Sequence, residues 1–270
     1  LITPEMQSDA ICKEVVQSSL HKFTWPKSMH WGQSLKETWV RPIRSIICML
    51  DSKVIKFSHC NVESGNFTYG HRVNSNSKQL EISGYDDYLA KLLANGVIVQ
   101  NQQRKEMILE QAKKIADDKG LDLREDQGLL TEVCGLVQHP QVLLGSIADH
   151  FMQLPDEVLV ASIRTNQKYL LLCDSSGRLA PYFLIVADGE YEDPDNIIKG
   201  NERVLTARLS DAEFFFKTDL KTLLKKRVED LKGQVYHSKI GSVYDKIVRM
   251  EAIAKKLAAQ FNVDGPEAAE

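Results

Sequence analysis

The hydrophobic pattern predicts strands that come in pairs. Apolar residues near 46–57 flank a turn at Asp51–Ser52, and those at 168–188 flank a second turn, so each stretch predicts a β-hairpin. Residues 141–147 form a short apolar run typical of a buried strand. Because the strands are grouped in hairpins, the pattern favours antiparallel sheets and an α+β fold over a doubly wound one.

Other stretches have apolar residues three, four and seven positions apart, which predicts helices. The predicted helices cover residues 8–23, 86–94, 101–119, 155–164, 194–216, 221–231 and 243–261. Residues 129–137 fit a helix or a strand equally well. No strand is predicted after about Lys221, so we expect an α+β domain at 1–220 and a helical segment at 221–270.

The helix at 194–216 has the clearest signal. Asp193 and Pro194 are typical of a helix start. An apolar stripe includes Leu205, but Phe214 points away from it, so we expect this helix to be packed on two sides. Its charged residues either form internal salt bridges, or Arg203 and Arg208 face a phosphate or a partner subunit.

Composition excludes several classes of protein. The chain has 270 residues, 43% of them hydrophobic, and a formal net charge of -3, which is typical of a globular protein. No apolar run is long enough to span a bilayer, so no membrane partner is expected. Five scattered cysteines without a CxxC pair indicate reduced thiols and a cytoplasmic location, and no metal-ligand spacing is present.

The charges are unevenly distributed along the chain. Residues 199–256 contain 14 Lys and Arg against 8 Asp and Glu, a local net charge of +6. Residues 78–157 contain 8 basic and 14 acidic residues. This asymmetry is compatible with a basic face that binds nucleic acid, and equally with solvated helices carrying pairs of opposite charge.

No catalytic motif is present in the sequence. The chain lacks the phosphate-binding patterns GxxxxGK[ST] and GxGxxG, the nucleophile motif GxSxG and the zinc motif HExxH. Neighbouring residues do not assemble a nucleophile with a base. We therefore expect no catalytic residues and no metal site in this chain.

Nine motifs in order carry a resemblance to a known family. They are WPKSMHWG (25–32), RPI (41–43), GHR (70–72), EVCGLVQHP (132–140), LLGSI (143–147), NQKYL (166–170), LAPYFLIVADGE (179–190), GNERVLTARLSDAEFFF (200–216) and IGSVYDK (240–246). In order and spacing the chain is similar to the β subunit of bacterial two-subunit glycyl-tRNA synthetase.

The resemblance implies a function and partners. In that family the α subunit uses ATP and magnesium to activate glycine, and the β subunit serves tRNA recognition within an α2β2 heterotetramer. The implied partners are the α subunit and tRNA(Gly), with no cofactor bound by this chain. Part of the family's β subunit resembles the B3/B4 region of phenylalanyl-tRNA synthetase β. The chain corresponds to an internal part of β, and residues 221–270 to the start of an HD-like helical domain.

The motifs contain few side chains suited to binding RNA. Arginine and lysine can bind phosphate, and exposed aromatic rings can stack on unpaired bases. The candidate tRNA-binding residues are Lys27, Arg41, Arg44, His71, Arg72, Lys168, Asn201, Arg203 and Arg208. The alternative is a structural role for each of them. Trp25 and Trp31 are expected in the core.

Three functions remain open at this point. The chain contributes tRNA binding and subunit assembly, it is an editing hydrolase acting on misacylated tRNA, or it is a non-catalytic scaffold. Glycine is the smallest amino acid, so a tight synthetic site already excludes larger competitors and an editing site is not needed. A closed polar cavity would favour editing, whereas an open basic face would favour tRNA binding.

Overall fold

A computed structural model describes residues 7–32 and 36–261, which form a mixed α/β structure. These residues form eight α-helices: α1 (Ser8–Lys22), α2 (Tyr85–Ala94), α3 (Asn101–Asp118), α4 (Gln127–Cys134), α5 (Asp156–Val160), α6 (Asp195–Asp219), α7 (Leu224–Arg227) and α8 (Val243–Phe261). Short 3-10 helices lie at Asp149–Gln153 and Val228–Gly233, and a π-helix at Ala161–Asn166. The chain divides into two compact units between Thr206 and Ala207.

Most strands are short. They are β1 (Met29–Trp31), β2 (Glu37–Trp39), β3 (Ile46–Ile47), β4 (Met49–Leu50), β5 (Lys53–Val54), β6 (Ser58–His59), β7 (Val62–Gly65), β8 (Phe67–Tyr69), β9 (Gln79–Glu81), β10 (Asp122–Arg124), β11 (Pro140–Ser146), β12 (Leu170–Cys173), β13 (Leu179–Asp188), β14 (Val235–His237) and β15 (Gly241–Ser242). The described pairs are antiparallel except β3 with β7, which is parallel.

The core of the first unit lies between an antiparallel sheet and two helices. The sheet has the order β10-β12-β13-β11, and α3 and α4 cover one of its faces. Ile108 and Ala112 of α3 are fully buried against Leu172 and Leu184 of the sheet. The apolar face of α3 thus packs against the apolar residues of β12 and β13 in one core.

Both predicted hairpins are present. In the first, β4 and β5 pair across Asp51–Ser52 over two residues each. The preceding strand, β3, does not extend this hairpin because it pairs with β7. In the second, β12 pairs with β13 across a turn in which Gly177 has φ +83°, a conformation that favours glycine. The predicted strand at 141–147 is confirmed as β11.

The sequence left residues 129–137 open, and the structure places 129–134 in helix α4 and 135–137 after its end. The Asp126 carboxylate accepts a hydrogen bond of 2.8 Å from the Leu129 backbone N–H and caps this helix. The predicted helices at 8–23, 86–94 and 101–119 are confirmed as α1, α2 and α3. The helix predicted at 155–164 is present, but its second half has π-helical hydrogen bonding.

The second unit differs from its prediction in one respect. Strands continue after Lys221, because β14 and β15 form a small hairpin around residues 238–240. Helix α8 has the predicted bounds, yet its apolar face is largely exposed at Met250, Ile253 and Leu257. The period of a helix shows that one face is apolar, but it does not show what covers that face.

Helix α6 confirms the predicted start and contradicts the predicted packing. The Asp193 carboxylate accepts a hydrogen bond from the Asp195 N–H at 3.2 Å. Leu205 is only 1% exposed, whereas Phe214 is 65% exposed and Phe215 is exposed beside it. The expected two-sided packing is therefore wrong, because only the stripe through Leu205 and Leu209 is buried.

Within the described residues, no helix combines the length and the apolar character that crossing a bilayer requires.

Candidate nucleic-acid interface

Arg203 and Arg208 are solvent-exposed residues of α6. Arg203 lies on the part of the helix in the first unit, and Arg208 on the part in the second. Within the described residues, neither guanidinium forms a hydrogen bond or ion pair. Arg203 and Arg208 are therefore free to contact an external anion.

Asn201, another candidate, joins α6 to the neighbouring sheet. Its Oδ1 accepts a hydrogen bond of 2.6 Å from the Tyr169 hydroxyl, and its Nδ2 donates to the Ile197 carbonyl at 2.7 Å. Burial raises the pKa of Tyr169, so the hydroxyl keeps its proton as a donor. Both polar ends of Asn201 are already bonded inside the protein, which gives it a positioning role.

Glu202 holds the same turn of α6 against β11. Its Oε1 accepts hydrogen bonds from the Ser146 backbone N–H at 2.8 Å and from the Ser146 hydroxyl at 2.6 Å. Asn201 and Glu202 therefore bind this turn to Tyr169, the residue before β12, and to Ser146, the last residue of β11. This fixes the rotation of α6 about its axis, and with it the outward direction of Arg203.

Lys168 lies where the π-helix ends and β12 begins. Its φ of +62° is unusual for a non-glycine residue, and its ammonium lies 2.9 Å from the Glu132 carboxylate. Beside it, Arg164 Nε donates to the Asp126 carboxylate at 2.6 Å, and that hydrogen bond lowers the pKa of Asp126. Glu132 of α4 thus binds Lys168, and Asp126, which caps α4, binds Arg164. The Lys168 side chain is only partly exposed.

His71 is buried, contrary to what an RNA-contacting residue requires. Its Nε2 lies 3.1 Å from the Asp188 carboxylate, and its Nδ1 accepts the N–H groups of Val73 and Asn74 at 3.2 and 3.1 Å. The same carboxylate accepts the N–H groups of Gln138 and His139, the two residues that precede β11. His71 therefore ties the loop after β8 to the main sheet.

Arg72 follows His71 and points to solvent. Gly70, just before this pair, is confined: a Cβ at that position would lie 2.8 Å from the Asn95 Cβ. The glycine thus lets the loop approach the end of α2 while Arg72 stays outside. In the GHR motif, Gly70 and His71 therefore hold the loop in place, and Arg72 remains exposed and available to a partner.

Lys27, Arg41 and Arg44 are exposed around the β1–β2 hairpin. The Arg41 Nη1 lies 3.3 Å from the Met29 sulfur, and the Arg44 guanidinium lies 5.4 Å from the centre of the Tyr69 ring. Trp25, expected in the core, is 38% exposed, and Trp31 is half-buried. The placement of Trp25 corrects the sequence interpretation.

Sequence reasoning missed Arg104, a buried cation of α3. Its guanidinium donates to the carbonyls of Cys134 at 3.2 Å, Val99 at 2.9 Å and Ile98, and to the Asn101 side chain. These bonds satisfy the charge through oxygen atoms of neutral groups and connect the start of α3 to the end of α4. Its only sequence signal is its spacing of four from Ile108 on the buried stripe.

A surface cavity of about 660 Å³ lies between the short sheets of the first unit and α2. Its lining includes Ser45, Asp51, Thr68, Tyr85 and Tyr88. None of the nine candidate residues contributes to this lining.

Comparisons with known proteins agree over nearly the whole chain. A family model described as glycyl-tRNA synthetase beta subunit matches residues 2–270. The glycine–tRNA ligase beta subunit of Rickettsia akari (strain Hartford) is 40% identical over 256 residues, which is 95% of this chain and 38% of that relative. The corresponding subunit of Rickettsia prowazekii (strain Madrid E) is 39% identical over 97% of this chain and 39% of its own length. The chain thus spans less than two fifths of these relatives.

Proposed function

Because the chain belongs to the glycyl-tRNA synthetase beta-subunit family, we propose that it contributes tRNA binding and subunit assembly to the ATP-dependent attachment of glycine to tRNA(Gly). The proposed partners are the α subunit, in an α2β2 assembly in the cytoplasm, and tRNA(Gly). ATP and magnesium belong to the α subunit in this proposal. The family match over residues 2–270 is the observation that carries it.

The exposed cations support the RNA part of the proposal. Arg203 and Arg208 are exposed and unbonded within the described residues, in a region with a net charge of +6. Arg72, Lys27, Arg41 and Arg44 are also exposed. Free guanidinium groups bind phosphate oxygens with two parallel hydrogen bonds. Among the nine candidates, His71 and Asn201 hold the loop and the helix that present these arginines, and Lys168 offers a partly exposed ammonium.

The proposed domains follow from the same family resemblance. Residues 1–220 correspond to an α+β region like B3/B4 of phenylalanyl-tRNA synthetase β, and residues 221–270 to the start of an HD-like helical domain. The mixed α/β core and the helical character of α7 and α8 support this assignment. Editing would require polar groups aimed into a closed cavity, whereas the candidate cations lie on open surface.

A salt titration of tRNA(Gly) binding tests the proposal. Binding through phosphates should weaken steeply with salt, by roughly 0.7 to 0.9 log units per log unit of salt for each neutralised phosphate. Arg203→Ala should lower affinity and reduce that slope without changing the melting temperature, since its side chain forms no internal bond. Arg178→Ala, which removes an exposed arginine from the β12–β13 turn, is the matched control and should bind normally.

Two results would contradict the RNA part of the proposal. One is binding that does not respond to salt. The other is Arg203→Ala melting early while binding tRNA(Gly) as the unchanged chain does, which would assign Arg203 a structural role. In either case the scaffold function would replace tRNA binding, and co-elution with the glycyl-tRNA synthetase α subunit would remain as the test of assembly.

A further inference from the structure

All three tryptophans of the 270-residue chain lie within one short segment, at positions 25, 31 and 39. Trp25 stacks on Phe23, with ring centres 5.5 Å apart and planes 9° from parallel. Both rings meet Trp39 edge-on, at 5.2 and 5.8 Å. Phe23 is 54% exposed and Trp25 is 38% exposed, so the cluster presents aromatic surface to solvent.

Two histidine rings pack against the aromatic cluster and support it. The His59 ring meets Trp39 edge-on at 5.2 Å, and the His21 ring meets His59 at 5.5 Å. Burial, and secondly the neighbouring His21, lowers the pKa of His59, so the His59 ring is uncharged at neutral pH. The rings therefore form one connected set from α1 through β6 to the β1–β2 hairpin, which holds Trp25 in place.

The segment that carries these rings is basic. Between Lys22 and Arg44 there are five Lys and Arg residues and one acid, Glu37. The Glu37 carboxylate accepts a hydrogen bond of 2.6 Å from the Asn61 side chain. Met29 pairs with Trp39 in the hairpin, and directly opposite residues share a face, so the contact of Arg41 with Met29 places its charge on the Trp39 face.

We propose that Phe23 and Trp25, with Lys27 and Arg41 beside them, form a stacking site for an unpaired nucleotide of RNA. This inference rests on the proposed function and names the part of the RNA that the site takes. Base stacking on an aromatic ring tolerates any sequence, and nearby cations bind the backbone phosphates. A protein partner would also cover exposed rings, but the density of positive charge in the segment favours a polyanion with flat bases.

Intrinsic fluorescence tests the site directly, because every tryptophan of the chain belongs to this segment. A short oligoadenylate should quench the fluorescence of the chain on binding. Inorganic polyphosphate, which has the charge but no bases, should bind without comparable quenching. A blunt-ended RNA duplex of similar length should quench less than the single strand, because its bases are already stacked.

Substitutions identify the rings that carry the binding. Trp25→Ala should weaken oligoadenylate binding about tenfold, within the range measured for stacked bases, and Trp25→Phe should restore most of it. Phe23→Ala provides an independent variant if Trp25→Ala fails to fold in thermal melts. Phe214→Ala is the matched control, since it removes an exposed ring of α6 and should leave oligoadenylate affinity unchanged.

The outcomes separate this site from the proposed function. Normal oligoadenylate affinity in folded Trp25→Ala and Phe23→Ala, or equal quenching by polyphosphate, would overturn the stacking site. If Arg203→Ala still lowers tRNA(Gly) binding in that case, the proposed function stands without this site. Loss of α-subunit binding in Trp25→Ala, with oligoadenylate affinity unchanged, would instead assign the rings to a protein interface and overturn the RNA inference.

Discussion

Asp174 closes the turn between β12 and β13 with its own side chain. Its carboxylate accepts hydrogen bonds from the Ser176 hydroxyl at 2.5 Å and from the N–H groups of Ser176 and Arg178 at 2.9 and 3.1 Å. These bonds, the Ser176 hydroxyl first, lower the pKa of Asp174 from 3.8 to about 2. Because the charged form is favoured in the folded chain, its contribution is present above pH 3.8 and is lost as pH falls towards about 2.

We expect Ser176→Ala to raise the Asp174 pKa towards its ordinary value, because the hydroxyl that stabilises the carboxylate is removed. Arg178→Ala should raise it less, since the arginine side chain contributes the smallest of the favourable interactions. NMR titration of the Asp174 carboxyl carbon measures both changes. A larger shift in Arg178→Ala than in Ser176→Ala would show that charge, and not the hydroxyl, sets this pKa.

His71 is a second residue whose environment gives a testable expectation. Replacing it with alanine leaves the N–H groups of Val73 and Asn74 without their acceptor and removes one partner of Asp188. We expect His71→Ala to lower the free energy of unfolding by about 2 kcal/mol, the usual effect of unsatisfied buried polar groups. Urea denaturation measures this, with the exposed His237→Ala expected to change it by less than about 0.5 kcal/mol. Equal effects in both variants would contradict the buried role of His71.

At the level of elements, α6 shows how one helix combines anchoring and exposure. Leu205 and Leu209 are buried, Asn201 and Glu202 bond to neighbouring strands, and Phe214 lies in solvent. We expect Leu205→Ala to lower the free energy of unfolding by about 3 kcal/mol, through lost burial and a residual cavity. Phe214→Ala should change it by less than about 0.5 kcal/mol. Urea titrations of the two variants measure these changes. A comparable decrease in the free energy of unfolding in Phe214→Ala would show that α6 is packed on both sides.

The predicted elements agree with the structure where their signals are local. The bounds of α8 and the turn between β12 and β13 follow from helical spacing and from Gly177, which need no information about the rest of the chain. The first hairpin is shorter than predicted, because β3 pairs in parallel with the distant β7. The π-helix at Ala161–Asn166 also lacked a sequence signal, since its spacing of apolar residues differs little from that of an α-helix.

For the chain as a whole, the lack of a phosphate-binding motif leads to a catalytic expectation. We expect the purified chain to show no glycine-dependent exchange of pyrophosphate with ATP, because its sequence contains neither of the phosphate-binding patterns GxxxxGK[ST] and GxGxxG. The glycyl-tRNA synthetase α subunit, assayed alone and after addition of this chain, is the positive control. Exchange catalysed by the chain alone would overturn the assignment of glycine activation to the α subunit.

The family of this chain and the type and order of most of its elements were determined by the sequence alone, because motifs, helical spacing and turn residues act over a few positions. The tertiary structure decided which of those residues remain accessible. The sequence did not indicate that His71 is buried against Asp188, and Trp25, which was expected in the core, is partly exposed. Burial depends on what packs against a side chain from elsewhere in the chain, and no local pattern contains that information.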